Sequence, residues 1–407
     1  EEPLIKSGSD FREADYHEAL VLIAKRCQSI GAKYGKDAIG VAVSDRYTNE
    51  EAFAIKKMAE TMGAKIFSMN NRASGIADVL GFDASPNTID ELLSTNMILA
   101  VGFNTTDNPV IELKMKQAAE AGAKVVLVNP EDYVQHIDFL HKAVYTKNDL
   151  SFLKEVAKAV VDSGRGAGVD GYEEFAASVK DVTVSDDAKA VADMYLEAKK
   201  AMIVFNQNLI TTEAASLLAD IALVSGHIGT PRDGILQVKA KNNSQGLVDL
   251  GITAGAEELE GVKALVVFGE EADIDTDALE FLAVSDTHMT ALAAKADVVI
   301  PGTGFASTDG TYTNTERRLQ LVQAAIEEDV ELANWEIAAE IAHVFEVDYE
   351  WENTEDISVA MNDEVPAYKY AVVDEVLGGV LKPADDARLA VIGDAKFADP
   401  IKCTDSL

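Results

Sequence analysis

The densest run of ligand-capable side chains lies in Val238–Gly246 (VKAKNNSQG), where Lys239, Lys241, Asn242, Asn243 and Gln245 stand almost side by side. A side-chain amide offers both donor and acceptor. Such a run is therefore committed either to neighbouring backbone or to a polar ligand. Just before it, Gly226–Gly234 (GHIGTPRDG) ends a helical pattern with three glycines and a proline. A second candidate is Val101–Pro109 (VGFNTTDNP). There Gly102 permits close backbone approach at a strand end, Asn104 supplies an amide, and a helix starting near Val110 would aim free N–H groups at an anion. A third stretch, Ala296–Phe305 (ADVVIPGTGF), leads into Asp309–Arg318 (DGTYTNTERR). Its Asp309–Gly310 pair is a hairpin signal, and the polar residues after it suit a loop held by internal hydrogen bonds.

Other chemistries are excluded by what the chain lacks. Two cysteines, Cys27 and Cys403, cannot build a disulfide framework, and an ordinary iron–sulfur cluster needs about four thiolates. The histidines at 17, 136, 141, 227, 288 and 343 are scattered, with no HExxH or His-x-His pair at metal spacing. The balance of 35 basic against 70 acidic residues gives a net charge of −35. A nucleic-acid binder relying on phosphate neutralisation is thereby excluded, and docking on an anionic membrane is disfavoured. No apolar run reaches the roughly 18 residues of a membrane-spanning helix. A solubilising surface on part of a larger assembly accounts for the charge. The first residue is Glu1, which leads us to expect either processing or the back portion of a longer protein.

The elements that must position these loops alternate between strand and helix. Asp15–Tyr34 carries an apolar face at Ala19, Leu20, Ile23, Ala24 and Cys27, the period of a helix. Ala38–Val43 reads as a buried strand, Asn49–Met62 as a helix capped by Thr48 or Asn49, and Lys65–Met69 as a short strand. Met97–Gly102 is a strand, Val110–Glu120 a helix, and Lys124–Val128 a strand again. Ala201–Phe205, Val262–Phe268 and Asp297–Ile300 repeat the strand pattern. This alternation implies parallel βαβ units in a doubly wound α/β architecture, whose ligands bind beyond the strand C-termini.

Taken in order, Asp15–Leu20, Asn96–Pro130, Gly226–Gly251 and Ala296–Gln320 resemble the molybdopterin oxidoreductase superfamily. The run Asn242–Gly251 (NNSQGLVDLG) is most similar to the molybdopterin-type portion of the large iron–sulfur subunit of NADH dehydrogenase (NADH-quinone oxidoreductase) complexes, with formate dehydrogenases as the nearest alternative. The resemblance implies two Rossmann-like doubly wound lobes of the formate dehydrogenase/DMSO reductase type, without the N-terminal iron–sulfur lobe or the full C-terminal barrel. Residues 15–75 plus 240–345 would form a discontinuous lobe, 76–239 the second, and 346–407 an acidic C-terminal segment.

Four departures from the family's catalytic pattern shape the functional expectation. Where formate dehydrogenases carry Cys or selenocysteine followed by His, this chain has Met69–Ser74 (MNNRAS), with no thiol. Their Arg-Gly-Gln before the double Asn becomes Lys239–Lys241 (KAK), and their Asp-Pro-Arg becomes Asn129–Glu131 (NPE). The tail after Arg318 lacks the cofactor-capping pattern. Burying a polyphosphate cofactor beside an acidic, arginine-poor crevice is costly. The expected role is thus structural support for electron transfer, with no catalytic residue, no metal and no cofactor on this chain. Gly102, Asn104, Lys239, Lys241, Asn242, Asn243 and Gln245, with Asn70 and Asn71, would line a vestigial cavity. The resemblance further implies iron–sulfur clusters on an absent N-terminal segment or partner subunits, an NADH-binding flavoprotein and iron–sulfur subunits as partners, and a cytoplasmic place reaching the membrane only through them. The alternative is an active formate dehydrogenase-type molybdenum or tungsten subunit binding bis-molybdopterin guanine dinucleotide.

From Glu327 to Glu364 the sequence has 14 acidic residues and no Lys or Arg. We expect a helix around Leu332–Phe345 and irregular structure elsewhere in it. Part of the tail, Val347–Trp351 above all, is expected to pack in extended form on the protein's own lobes or on a partner subunit, the alternative being a helix end followed by a free tail.

Overall fold

A computed structural model of the chain describes residues 2–70, 74–135, 137–270, 273–327 and 330–393. A hairpin of β1 (Leu4–Ser7) and β2 (Asp10–Glu13) precedes α1 (Tyr16–Tyr34), β3 (Ile39–Val43), α2 (Asn49–Met62) and β4 (Lys65–Phe67). The middle of the chain holds α3 (Ala77–Leu80), β5 (Met97–Val101), α4 (Pro109–Glu120), β6 (Lys124–Pro130), β7 (Lys142–Thr146) and α5 (Asp149–Asp162). It continues through α6 (Tyr172–Ser178), α7 (Asp186–Glu197), β8 (Ala201–Asn206), α8 (Thr212–Ser225) and β9 (Gly234–Val238). Next come α9 (Ser244–Asp249), β10 (Ala264–Phe268), β11 (Phe281–Asp286) and β12 (Val298–Pro301). The hairpin of β13 (Gly310–Thr313) and β14 (Leu319–Val322) leads to α10 (Asn334–Val344) and α11 (Thr354–Glu364).

The described strands build two main sheets, ordered β2-β1-β12-β11-β10-β3-β4 and β7-β6-β5-β8-β9. Every ladder in the second is parallel, and in the first β12-β11-β10-β3-β4 are parallel. The central strands β3 (IGVAV), β5 (MILAV) and β10 (ALVVF) are buried at every position. Helices cover both faces of such sheets, which is why these strands read as unbroken apolar runs instead of alternating ones. Among the described residues no helix is long and apolar enough to cross a membrane.

Local chemistry sets the helix starts. Asp15 Oδ1 accepts the Glu18 N–H at 2.7 Å to open α1. Thr48 and Glu51 form a reciprocal capping box at α2, satisfying two donors that the first turn leaves unpaired. Cys27, on the inner face of α1, is fully buried, and burial pushes its thiol up to about 12. It is a core residue with no thiolate chemistry near neutral pH.

The acidic stretch is more ordered than expected. α10 falls where periodicity places it, but Thr354–Glu364 is a helix, not irregular chain. The Asn353 side chain caps it through the N–H groups of Glu355 and Asp356, and Ile357 and Met361 are buried, facing the first sheet's core. Between the helices, the aromatics pack on the protein itself. The Tyr349 hydroxyl donates to the Lys57 carbonyl at 3.1 Å and lies 2.9 Å from Thr61 Oγ1, and Trp351 meets Phe53 with ring centroids 6.2 Å apart.

Beyond Tyr368 the chain runs as a strap from the first sheet's side to the second. Asp374 and Glu375 exchange backbone hydrogen bonds with Leu319, and Leu381, Ala384 and Arg388 donate to the carbonyls of Pro86, Leu80 and Val79. The strap's Ala390 N–H then donates to Asp220 Oδ1 on α8 at 2.9 Å. Burial pushes the Asp220 carboxyl up to about 8. The folded chain therefore keeps this proton between about pH 4 and pH 8 where the unfolded chain has released it, and stability falls as pH rises through that window. Asp220→Asn keeps the acceptor and removes the charge. Its melting temperature should exceed that of the parent most at and above pH 8 and match it near pH 4. A difference that does not vary with pH would refute this account of Asp220.

Candidate functional site

The candidate loops emerge from strand C-termini, and the crossing from β9 into α9 brings most of them together. Lys239 leaves the end of β9 with only 1% of its side chain exposed and donates to Asp83 Oδ1 at 3.1 Å and to Gln207 Oε1 at 3.5 Å. Gln245 donates to Asp249 Oδ1 at 2.8 Å and to the Asp83 carbonyl at 3.3 Å. Asn243 donates to the Tyr47 carbonyl and accepts the Thr313 N–H, each at 2.8 Å, tying α9 to the hairpin of β13. The Lys241 N–H caps onto Ser244 Oγ at 2.9 Å, and its charge acts on buried Asp45. Asn242 is exposed and faces the Tyr312 hydroxyl. Asn70 reaches Asp45 at 3.4 Å, and Asn71 lies outside the described residues.

Gly102 and Asn104 sit elsewhere, at the end of β5. A Cβ on Gly102 would come within 2.4 Å of Ile210 Cγ2, and its φ is +56°. Glycine is therefore required there by packing between two strand-end loops. Asn104 closes its own turn, accepting the Thr106 N–H at 2.9 Å and donating to Asp107 at 2.6 Å. No hydrogen bond described in the structure joins Asn104 to the Lys239 group. Both candidate segments thus spend their polar atoms largely on the protein's own backbone and side chains.

Sequence reasoning misses the acids that make the Lys239 group intelligible. Burial alone would raise the Asp83 carboxyl, but the Lys239 ammonium with the Ser74 hydroxyl and N–H outweighs it, holding Asp83 below the ordinary aspartate range. Asp249 is also enclosed, and burial pushes it up to about 6. Arg317 completes the cluster. Its guanidinium donates to four carbonyls, those of Ser85 (2.7 Å), Pro86 (3.3 Å), Gly379 (2.6 Å) and Leu377. Of these three, Arg317 alone falls within a stretch whose composition marks it out. Asp249 lies within the Asn242–Gly251 run without standing out in it, and Asp83 is far from Lys239 along the chain.

The polar groups of this arrangement are engaged largely with one another. Lys239 and Arg317 are engaged by internal groups, while Lys241 beside Asp45 and Arg46 in the strand-end cavity are further cations near the strand ends. Among the described residues the one cysteine is the core thiol Cys27, so no thiolate faces the strand ends. The open cavity at the first sheet's strand ends is about 130 Å³, is lined by Arg46, Tyr47, Glu51, Asp286 and Tyr312 among others, and sets one cation against two carboxylates.

Comparison with known proteins places the fold. Residues 1–344 match the family described as molybdopterin oxidoreductase. The chain belongs to the molybdopterin oxidoreductase family. Acetylene hydratase from Pelobacter acetylenicus superposes with a TM-score of 0.73 at 13% identity, over 95% of this chain and 69% of that one. A chain of the formyltransferase/hydrolase complex FhcABCD from Methylorubrum extorquens, solved with methylofuran, superposes with a TM-score of 0.60 at 16% identity, over 84% of this chain and 98% of that one. Among curated relatives, the F420-dependent formate dehydrogenase 2 subunit alpha of Methanococcus maripaludis is 26% identical over 84% of this chain and 61% of its own length. Formate dehydrogenase H of Escherichia coli is 24% identical over 94% of this chain and 66% of its own length. The chain thus spans less than two thirds of these relatives. They bear out the superfamily and point to formate dehydrogenases, not to the NADH dehydrogenase large subunit expected from Asn242–Gly251.

Proposed function

We propose that this chain is the pterin-fold portion of a formate dehydrogenase-type subunit, serving as a scaffold within a multi-subunit redox assembly and carrying no molybdenum or tungsten centre of its own. The observation that carries the reading is the crevice, where Lys239, Asp83, Asp249 and Arg317 bond internal partners and the Gln245 amide N–H group donates to Asp249 and the Asp83 carbonyl, its buried Oε1 alone being unmatched among these groups. A group with several phosphate charges would have to break these contacts and expose two acids to it. Electron-carrying clusters then belong to other segments or other subunits, including iron–sulfur and NADH-binding flavoprotein partners of the kind that redox assemblies use. The second reading, an active formate-oxidising subunit, is favoured by the likeness to formate dehydrogenases among the curated relatives.

One measurement separates the two. The chain should be purified within its native assembly and assayed for molybdenum, tungsten and acid-released guanine nucleotide per chain. The scaffold reading expects near-zero values for all three once any other pterin-type subunit has been accounted for. Stoichiometric metal together with nucleotide would overturn it and install the formate-oxidising reading.

A further inference from the structure

The two tryptophans of the sequence, Trp335 and Trp351, both line one surface cavity of about 170 Å³, between the outer face of α10 and the segment that follows it. Tyr349 and Trp351 stack there almost parallel, with centroids 4.4 Å apart and 6° between the planes. The platform is fixed before any ligand arrives, because the Tyr349 hydroxyl is bonded to the Lys57 carbonyl and Thr61, and Trp351 rests on Phe53. A structural aromatic pair buries its faces. This one leaves open space beside half-buried rings.

The charges around the rings select the occupant. His343 and Asp348 pair with each other, and the Asp348 carboxylate keeps the His343 imidazole basic. Beyond that pair the lining holds two further carboxylates and no Lys or Arg: Glu336, whose carboxylate also caps the Ala333 N–H at 2.7 Å, and Glu340. Glu340 is exposed, and its charge also acts on His343. The nearest lysine on the supporting helix, Lys57, is committed to Glu364 at 2.9 Å and Glu60 at 3.3 Å, and does not line the cavity. Flat aromatic faces beside carboxylates are what a planar guanidinium recognises, stacking on the ring while its N–H fork meets the acid.

We propose that this cavity receives an arginine side chain presented by a partner protein subunit. The volume suits one guanidinium with its last methylenes and is too small for a folded element. The surrounding stretch from Glu327 to Glu364, with 14 acids and no Lys or Arg, extends the complementarity to a basic segment around that arginine. The proposal concerns assembly and stands whether or not the scaffold reading of the crevice holds.

Because both tryptophans sit at the site, intrinsic fluorescence of the full chain reports on it directly. Titration with N-acetyl-arginine-amide at low ionic strength should give a saturable emission change and matching heat by calorimetry, with a Kd on the order of 1 mM. The lysine analogue should bind several-fold more weakly, and the citrulline analogue, isosteric but uncharged, should give no saturable signal. Glu340→Gln, at an exposed position that does not endanger folding, should weaken arginine binding by about threefold. Equal binding of citrulline and arginine would show a cleft that reads shape alone and overturn the proposal. So would the absence of both signals up to about 20 mM.

Discussion

Lys239→Met should lower the melting temperature by roughly 10 °C, since orphaning one charge of a buried pair costs about 3–5 kcal/mol. The methionine fills most of the space, so cavity formation contributes little. What remains is Asp83 facing a site with its ammonium removed, close to a second enclosed carboxyl at Asp249. Asp83→Asn in the same chain removes the orphan, so the double variant should melt well above the sum of the two single losses. The acid limb gives an independent check. A carboxyl with a depressed folded pKa contributes stability above its ordinary value and loses it as pH falls through the depressed one. The gap between parent and Lys239→Met should therefore be widest near neutrality and shrink below about pH 4. A single variant melting within about 2 °C of the parent would show that the pair holds nothing in place.

Arg317→Met should be comparably severe. The residue is 3% exposed, and its guanidinium's four carbonyl acceptors come from two separate stretches, Ser85–Pro86 and Leu377–Gly379. Burial pulls it down to about 10, so it remains charged at neutral pH. Each buried carbonyl left without a donor costs about 1–3 kcal/mol, and methionine supplies none. Arg317→Lys keeps the charge but not the planar fork, and should recover only part of the loss. The distinctive readout is local. Residues 377–390 should become sensitive to limited proteolysis in Arg317→Met at temperatures where the two sheets are still folded. Uniform cleavage of parent and variant would mean that Arg317 does not hold the strap.

The framework is legible where local signals and tertiary structure agree. Thr48 and Glu51 announce α2, and the all-apolar runs of β3, β5 and β10 announce buried parallel strands. Thr354–Glu364 is not legible as a helix, because Ile357 and Met361 are too few to show a period among so many acids, and its support comes from docking beside α2. Gly234–Val238 is absent from the strands expected from the sequence, following as it does a run of glycine, proline and aspartate, yet pairing with β8 makes it the edge strand β9. The polar loop after it stands out by composition, but its meaning depends on Asp83 and Asp249. A lysine that meets its carboxylate 156 positions away leaves no trace in any window of the sequence.

The order of strands also bears on how the chain acquires its structure during synthesis. The second sheet uses β5 through β9, all within Met97–Val238, and can close as soon as that stretch has left the ribosome. The first sheet cannot. Its strands β3 and β4 emerge early, but β3 pairs with β10, and β10 in turn with β11, so Ile39–Val43 must wait until Ala264–Asp286 has been made. At roughly 5–20 residues per second, that delay is on the order of tens of seconds. Throughout it, an apolar strand and the inner faces of α1 and α2 have no sheet to cover them. The nascent chain is therefore most in need of a chaperone over Tyr16–Phe67, while the second sheet, made after it, is already folded.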